Sequence, residues 1–417
     1  NIPLMTSTAM SNQHPSTFVQ ADPVDVYKLI EEDLLYACDI LPYAKDDTYR
    51  SSNDYRFSKG AALGLLAKVY ATWAGYPIQD TSKWEAAAKT ARILVESGKH
   101  DLLNDYEQLW KNTCNGIWDP TESLIEISFY SPTYSGNSDP VGRIGKWNGV
   151  KTTVDAGRSG STAANVQVVH SFVLDWREEA KPDETTGISP DRRQNLSIAN
   201  YKHGHNDSKT GAVYLDDYYL AASIPNDNAA TALSKDLDPE KSQKAKQTYT
   251  PAKWDIDKYM ESIPFINNDK STVNWYVLRY ADVLLLYAEA LNEWKGGPTT
   301  EAYAAINKVR KRGYTKADGT INKDYSLKEG LDQTAFREAV HKERAYELAF
   351  EGHRRLDLVR WGVYYETVQN TYNALKNWWS SANYVVYDYT EKGKHELMPI
   401  PQREMDLCTQ FEQNPGW

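Results

Sequence analysis

The chain has little cysteine. Three residues, Cys38, Cys114 and Cys408, are spread through 417 positions with no CxxC or metal-ligand spacing, which excludes a disulfide framework and a thiolate metal site. They read as small buried hydrophobes. So few cysteines do not separate a cytosolic protein from a large exported one whose core needs no disulfides. No apolar run approaches the roughly 18 residues of a membrane-spanning helix. No dense Lys/Arg stripe offsets the formal net charge of -10, a field that repels polyanions and excludes nucleic acid as the expected partner. GxSxG, GxGxxG and phosphate-loop motifs are missing. Phenylalanine is scarce too, with 8 Phe against 29 Tyr and 13 Trp. A purely apolar core has no reason to avoid Phe, whereas Tyr and Trp pair a flat apolar face with a hydrogen-bonding edge and suit half-exposed surfaces or flat polar ligands. The competing reading seats each of them in a helix-helix seam.

What is present is helical periodicity towards both ends. Asp22 and Pro23 open a helix with Val26, Leu29, Ile30, Leu34, Ala37 and Leu41 on one face, and Pro42 ends it. A second starts at Ser58, where Gly60, Ala61, Gly64, Ala67 and Ala71 permit close approach by neighbours. Ser82 and Glu85 form a capping-box pattern for a third, which stops at Gly98. Residues 111–271 then turn rich in Gly, Ser, Asn, Asp, Thr and Pro, predicting long loops with short strands such as LIEISFY at 124–130 and a polar excursion over 225–271. Periodicity returns at 275–293 as a helix apolar on two sides, then at about 299–312 with Gly313 as its stop, and at about 334–351. The expected fold is mostly α: one domain of packed helical hairpins, with arms at about 22–110 and 272–375, a loop-rich candidate ligand-binding region at about 111–271 and a tail at 376–417. The helix starts keep no even period, so periodicity alone supports only stacked hairpins.

One charged cluster invites a catalytic reading: Glu343, Arg344, Glu347, Glu351, Arg354, Asp357 and Arg360. Its glutamates repeat at i, i+4 and line one helix face, as an acid/base pair requires. The interleaved arginines favour the charged carboxylates, which makes poor general acids and good inter-helix ties, so the cluster is read as a structural charge network. Glu338 and His341 are half of a di-iron pattern whose second copy is missing. His203 and His205 lack a third ligand and read as a solvated loop. Paired acids such as Asp216 and Asp217 allow calcium without a continuous oxygen-ligand pattern to indicate it, and no other metal or cofactor is expected. Sugar rings need exposed aromatic faces flanked by hydrogen-bonding side chains. The best neighbourhood is Tyr130, Tyr134, Arg143, Trp147 and Asn148, with Trp147 and Tyr134 as stacking platforms and Arg143 and Asn148 as hydroxyl partners. A second is Tyr214, Asp216, Tyr218 and Tyr219. Trp118 and Trp176 are single candidates, the latter read as core because its run VVHSFVLDW is apolar.

Three segments in order resemble the SusD/RagB family: LRYADVLLLYAEALNE (278–293) with INKVRKRG (306–313), FREAVHKERAYELAFEGHRRLDLVRWG (336–362), and LMPIPQREMDLCTQFEQNPGW (397–417). RFSKGAALGLLAKVYATWAG at 56–75 is similar to the family's second helical-hairpin region, while 111–271 matches only loosely. The resemblance implies tetratricopeptide-like hairpins, no catalysis, and a shallow oligo- or polysaccharide-binding surface on the irregular side. It implies a SusC-like TonB-dependent transporter as partner and the outer-membrane cell surface as location. Family members begin with a lipoprotein signal, a lipid-bearing cysteine and a first helical pair ahead of a segment like IPLMTS, and here IPLM occupies residues 2–5. The expectation is therefore an N-terminally truncated, soluble form of a lipid-anchored protein. Two rivals remain: a peptide-binding subunit of a RagAB-like uptake complex, and a helical glycoside hydrolase, which needs two carboxyls roughly 5–9.5 Å apart.

Overall fold

The computed structural model describes residues 2–8, 12–129, 142–152, 162–183, 188–199, 203–206, 209–213, 249–261, 270–322, 324–376 and 385–417. Asp22 accepts a hydrogen bond from Val24 N at 2.7 Å and, with Pro23 in the first turn, opens α1 (Pro23–Ile40). Of the predicted apolar face only Leu34 is fully buried, and Ile30 is exposed; off that face, Leu35, Tyr36 and Ile40 are exposed as well. Ser58 Oγ caps α2 (Lys59–Trp73) by accepting from Ala61 N at 3.3 Å. The small residues of α2 are buried on all sides, and a Cβ at Gly64 would lie 2.9 Å from Leu278 and 3.0 Å from Leu124. Any larger side chain there forces neighbouring elements away.

α3 (Lys83–Glu96) corrects the capping-box expectation. Ser82 is already in the right-handed helical conformation and gives the helix no side-chain cap; its hydroxyl donates instead to Asp80 Oδ1 at 2.5 Å. Next come α4 (Tyr106–Cys114), β1 (Ser123–Ile127), α5 (His170–Glu179) and α6 (Arg192–Ser197). β2 (Ile198–Ala199) pairs antiparallel with β5 (Thr250–Pro251), and β3 (Gly204–Asn206) with β4 (Lys209–Val213). The turn α7 (Ile256–Tyr259) follows β5. Of the predicted polar excursion, 225–248 and 262–269 lie outside the described residues.

The 275–293 segment is divided. Trp275–Arg279 is a strand, β6, antiparallel to β1 with Ser123 opposite Arg279 and Ile127 opposite Trp275. Helix α8 (Tyr280–Lys295) follows directly, buried at every position from Tyr280 to Asn292, and ends on Gly296 at φ 72°. α9 (Thr300–Gly313) is capped by Thr299, and α10 (Gln333–Glu347) by Asp332. Gly313 does not stop α9 but is its last residue, and a side chain there would collide with the Arg193 guanidinium. The C-terminal third adds α11 (Arg354–Arg360), α12 (Tyr364–Lys376), α13 (Val385–Asp388) and α14 (Gln402–Leu407).

In space α1 packs on α2, α2 on α3, α3 on α8, and α8 on α9 and α10. The helical stack is therefore continuous across the gap in sequence between α3 and α8, and the irregular region leaves and re-enters it there. Leu66, Trp73, Leu94, Leu284, Ile306 and Phe336 lie in the stack's core. A second cluster sits under the irregular region, where Trp110 meets Tyr106, Trp254 and Tyr276 edge-on at 5.4–6.1 Å. The tail returns to the start of the chain through Gln20, whose side chain pairs both ways with the backbone of Glu412 at 2.9 Å. Among the described residues no helix is long and apolar enough to cross a membrane.

Candidate functional site

The carboxylates of Glu343, Glu347 and Glu351 are buried, and guanidinium groups from other elements meet them. Arg193 of α6 donates to Glu343 at 2.5 Å and to Glu347 at 3.1 Å. Arg279, the last residue of β6, reaches Glu122 at 2.8 Å, Glu347 at 2.9 Å and Glu351 at 2.7 Å. Arg312 joins Glu122 at 2.7 Å to Glu347 at 2.5 Å, Arg310 reaches Glu343 at 3.0 Å, and Lys253 donates to Glu351 at 2.6 Å. A neighbouring group ties Arg344 to Asp282 and Asp357, and Arg360 to Asp357 and Glu289. Arg354 stands apart: it is exposed, and its Nη1 donates to the His341 carbonyl at 3.0 Å.

Burial by itself would push the pKa of Glu347 and Glu351 up, but the facing cations outweigh it. Against burial, Arg279 and Lys253 hold Glu351 at about 2, and Arg312, Arg279 and Arg193 keep Glu347 below the usual range. Groups so held carry no proton to donate near neutral pH, and the arrangement ties α6, β6, α9 and α10 together. Glu126 differs. Burial pushes it up to about 7, only partly offset by hydrogen bonds from Ser123 at 2.7 Å and Asn274 at 2.8 Å.

Arg143, Trp147 and Asn148 lie on one loop. Trp147 N donates to Arg143 O at 3.0 Å, and Asn148 Oδ1 accepts from Gly145 N at 2.8 Å. Gly145, at φ 81°, and Gly149 seat the loop on the 254–256 turn; a Cβ at Gly149 would stand 2.6 Å from Trp254 O. On this support the Trp147 indole is 40% exposed, with the Arg143 guanidinium 4.6 Å from its ring centroid. Asn148 thus serves as the lock of the turn. Tyr130, Tyr134, Tyr214, Asp216, Asp217, Tyr218 and Tyr219 lie outside the described residues.

Trp176 is fully buried, stacked on Tyr346 at 4.6 Å, with its Nε1 donating to Asp191 at 3.1 Å. Trp118 is half-buried beside Tyr55 and Arg50. His203 corrects the solvated-loop expectation: it is buried, with Nε2 2.8 Å from Asp255 Oδ1, because the chain here folds back against Lys151. His341 stacks on Trp361. Among the described residues no group of three or more His, Cys, Asp or Glu side chains is arranged to hold a metal ion. Sequence reasoning missed Glu122, Arg193, Arg279 and Asp282 as network members. The available signal was Asp282 and Glu289 in a stretch, Tyr280 to Leu291, that is otherwise apolar all round, where a charge requires a partner.

The model of the SusD family matches residues 121–417. A SusD homolog from Bacteroides thetaiotaomicron, known from its crystal structure, is 67% identical with a TM-score of 0.88, over 100% of this chain and 75% of that one. A laminarin-binding SusD-like protein of known structure is 25% identical with a TM-score of 0.63, over 100% of this chain and 74% of its own. SusD-like protein P25 of Formosa agariphila is 26% identical over 363 residues, 86% of this chain. The chain spans 58% of that curated relative's length. With the family pattern matched over most of its residues and the helical stack shared along its whole length, the chain belongs to the SusD family.

Proposed function

We propose that the chain captures an oligo- or polysaccharide at the outer-membrane cell surface, without covalent chemistry, and passes it to a SusC-like TonB-dependent transporter. Trp147 carries the glycan part of this reading: a 40% exposed indole on a loop pinned by Gly145 and Asn148, with a guanidinium alongside. A rigid aromatic face flanked by hydrogen-bond donors matches a pyranose ring, which offers an apolar C–H face and a rim of hydroxyls. Tyr134 is the second stacking candidate in this reading, Tyr130 and Tyr218 are further ligand-contact candidates from the sequence, and Arg143 supplies hydroxyl contacts. The similarity to a laminarin-binding SusD-like protein supports it. The ionised state of the network carboxylates favours binding over hydrolysis. Transfer to a transporter rests on family membership.

Isothermal titration against a panel of oligosaccharides tests the glycan reading. The Trp147→Ala variant is expected to lose about tenfold in affinity, the size of a typical interfacial aromatic anchor. Equal affinity in parent and variant removes Trp147 from the site. Release of reducing ends by the pure protein turns the reading towards a hydrolase, and binding of peptides with no glycan bound turns it towards peptide uptake.

A further inference from the structure

The loop between α1 and α2 holds the Tyr49 ring out in water. Tyr49 is 89% exposed, yet both of its backbone polar groups are held by side chains: its N–H donates to Asp47 Oδ1 at 3.0 Å, and its carbonyl accepts from Arg56 Nη2 at 3.0 Å. Next to it, the Arg50 side chain is only 5% exposed and turns inward. Its Nη1 donates to the carbonyls of Asp54 at 2.8 Å and Arg56 at 2.7 Å, and its Nε lies 3.6 Å from Asp47 Oδ2. A buried guanidinium is thus devoted to the backbone of its own surface loop. Scattered exposed aromatics are ordinary, but an exposed aromatic whose backbone is fixed from both sides is pre-organised, so little ordering entropy is lost when a ligand lands on it.

The same arginine backs a second ring. Arg50 Cζ lies 5.1 Å from the centroid of half-buried Trp118, which Tyr55 flanks at 6.0 Å, and Asn53 Oδ1 accepts from Trp118 N at 2.9 Å. The charges of the loop are paired, Asp46 by Lys99 from outside the loop at 2.8 Å and the others within it. Arg56 hydrogen-bonds Asp54 and holds its carboxyl down at about 2, while Arg50 faces Asp47. A loop whose acids outnumber its bases and whose cations are already paired gives an anion no purchase. What it presents is the Tyr49 ring together with the exposed side chains of Asn53 and Arg56, an aromatic face and hydrogen-bond donors that fit an uncharged sugar ring.

The loop also connects to the ground beneath Trp147. Tyr55 OH donates to Gly116 O at 3.1 Å, Asn115 Nδ2 donates to Tyr259 O at 2.8 Å, and Tyr259 ends the short helix on whose Ile256 the Gly145 turn is seated. We infer that the loop of residues 46–57, with Tyr49 as stacking face and Trp118 beside it, is a second contact site for a neutral glycan, engaged by chains too long for the Trp147 site alone. This rests on the glycan reading above. A second contact raises the apparent affinity of a long chain and leaves that of a short one unchanged.

Affinity electrophoresis through gels holding laminarin, starch, xylan or inulin, paired with titration of a di- or trisaccharide of whichever polymer retards the protein, tests it. The variants are Tyr49→Ala, Tyr49→Phe and Trp147→Ala. Because the Tyr49 ring is in solvent, its loss leaves the fold intact, which circular dichroism checks. Tyr49→Ala is expected to weaken polysaccharide retention about three- to tenfold while the short sugar binds as before, and Tyr49→Phe to keep retention near the parent's. A retained parent with Tyr49→Ala unchanged on every gel overturns the second site and leaves the glycan reading standing. A parent retained by no polymer overturns both.

Discussion

At the scale of single residues, the informative groups are those whose protonation the fold has moved. Glu126 binds its proton more tightly folded than unfolded, with a value of about 7 against an ordinary 4.5. The stability tied to that proton is complete below pH 4.5 and is lost as pH rises through about 7, a total of about 3 kcal/mol. Glu126→Gln keeps a neutral side chain between Ser123 and Asn274. Urea unfolding at pH 5 and pH 8.5 is expected to show the parent losing about 3 kcal/mol relative to this variant across the interval. Arg279 makes the opposite case. It faces Glu122, Glu347 and Glu351 at 2.7–2.9 Å, so Arg279→Met takes one cation from three buried carboxylates at once, leaving Glu122 to Arg312, Glu347 to Arg312 and Arg193, and Glu351 to Lys253, and is expected to destabilise by about 3–5 kcal/mol. Loss of less than about 1 kcal/mol in that variant would falsify the view that these pairs are coupled.

At the scale of elements, close approach of backbones decides more than helix propensity does. α9 runs up to Gly313 because the Arg193 guanidinium occupies the space where a side chain would begin. Gly313→Ala improves intrinsic helix propensity by about 1 kcal/mol, yet it displaces an arginine that holds Asp191, Glu343 and Glu347. The expected result is a net loss of about 1–3 kcal/mol in chemical unfolding. Glycine at a helix end reads in sequence as a stop, and nothing local reveals the arginine 120 residues away that requires it. Similar limits separate what local pattern carries from what it does not. Asp22 was legible as a cap, and Ser58 and Thr299 as helix starts, because these signals lie within four residues of the helix end. WYVLR at 275–279 was not legible as a strand, since four apolar residues ending in Arg279 fit both periods and only the partner Ser123–Ile127 settles the choice. At the candidate site, Trp147 and Arg143 share a loop and were found together, whereas the Tyr49 loop looks in sequence like an ordinary polar turn until the inward course of Arg50 is seen.

At the scale of the whole molecule, the depressed carboxyls set the response to acid. Despite burial, facing cations hold Glu351 at about 2 and keep Asp282, Glu289, Glu347 and Asp357 below their ordinary values. Their contribution is fully present above the ordinary carboxylate range and is lost as pH falls towards about 2. Near-ultraviolet circular dichroism is expected to show one cooperative loss of tertiary signal between about pH 4.5 and 2, preceded by no change between pH 6 and 5. The charge lattice also bears on rate. Glu122 and Arg279 are 157 positions apart, and Arg193 and Glu343 are 150 apart, so the lattice closes only after the intervening chain has taken its place. Contacts that form late in folding are the first to be surrendered on the way out, and stabilising them slows escape from the native state more than it speeds arrival. At the cell-surface location proposed above, where proteases sample every opening, that slow exit is a lifetime: the buried arginines act as a clock set against degradation.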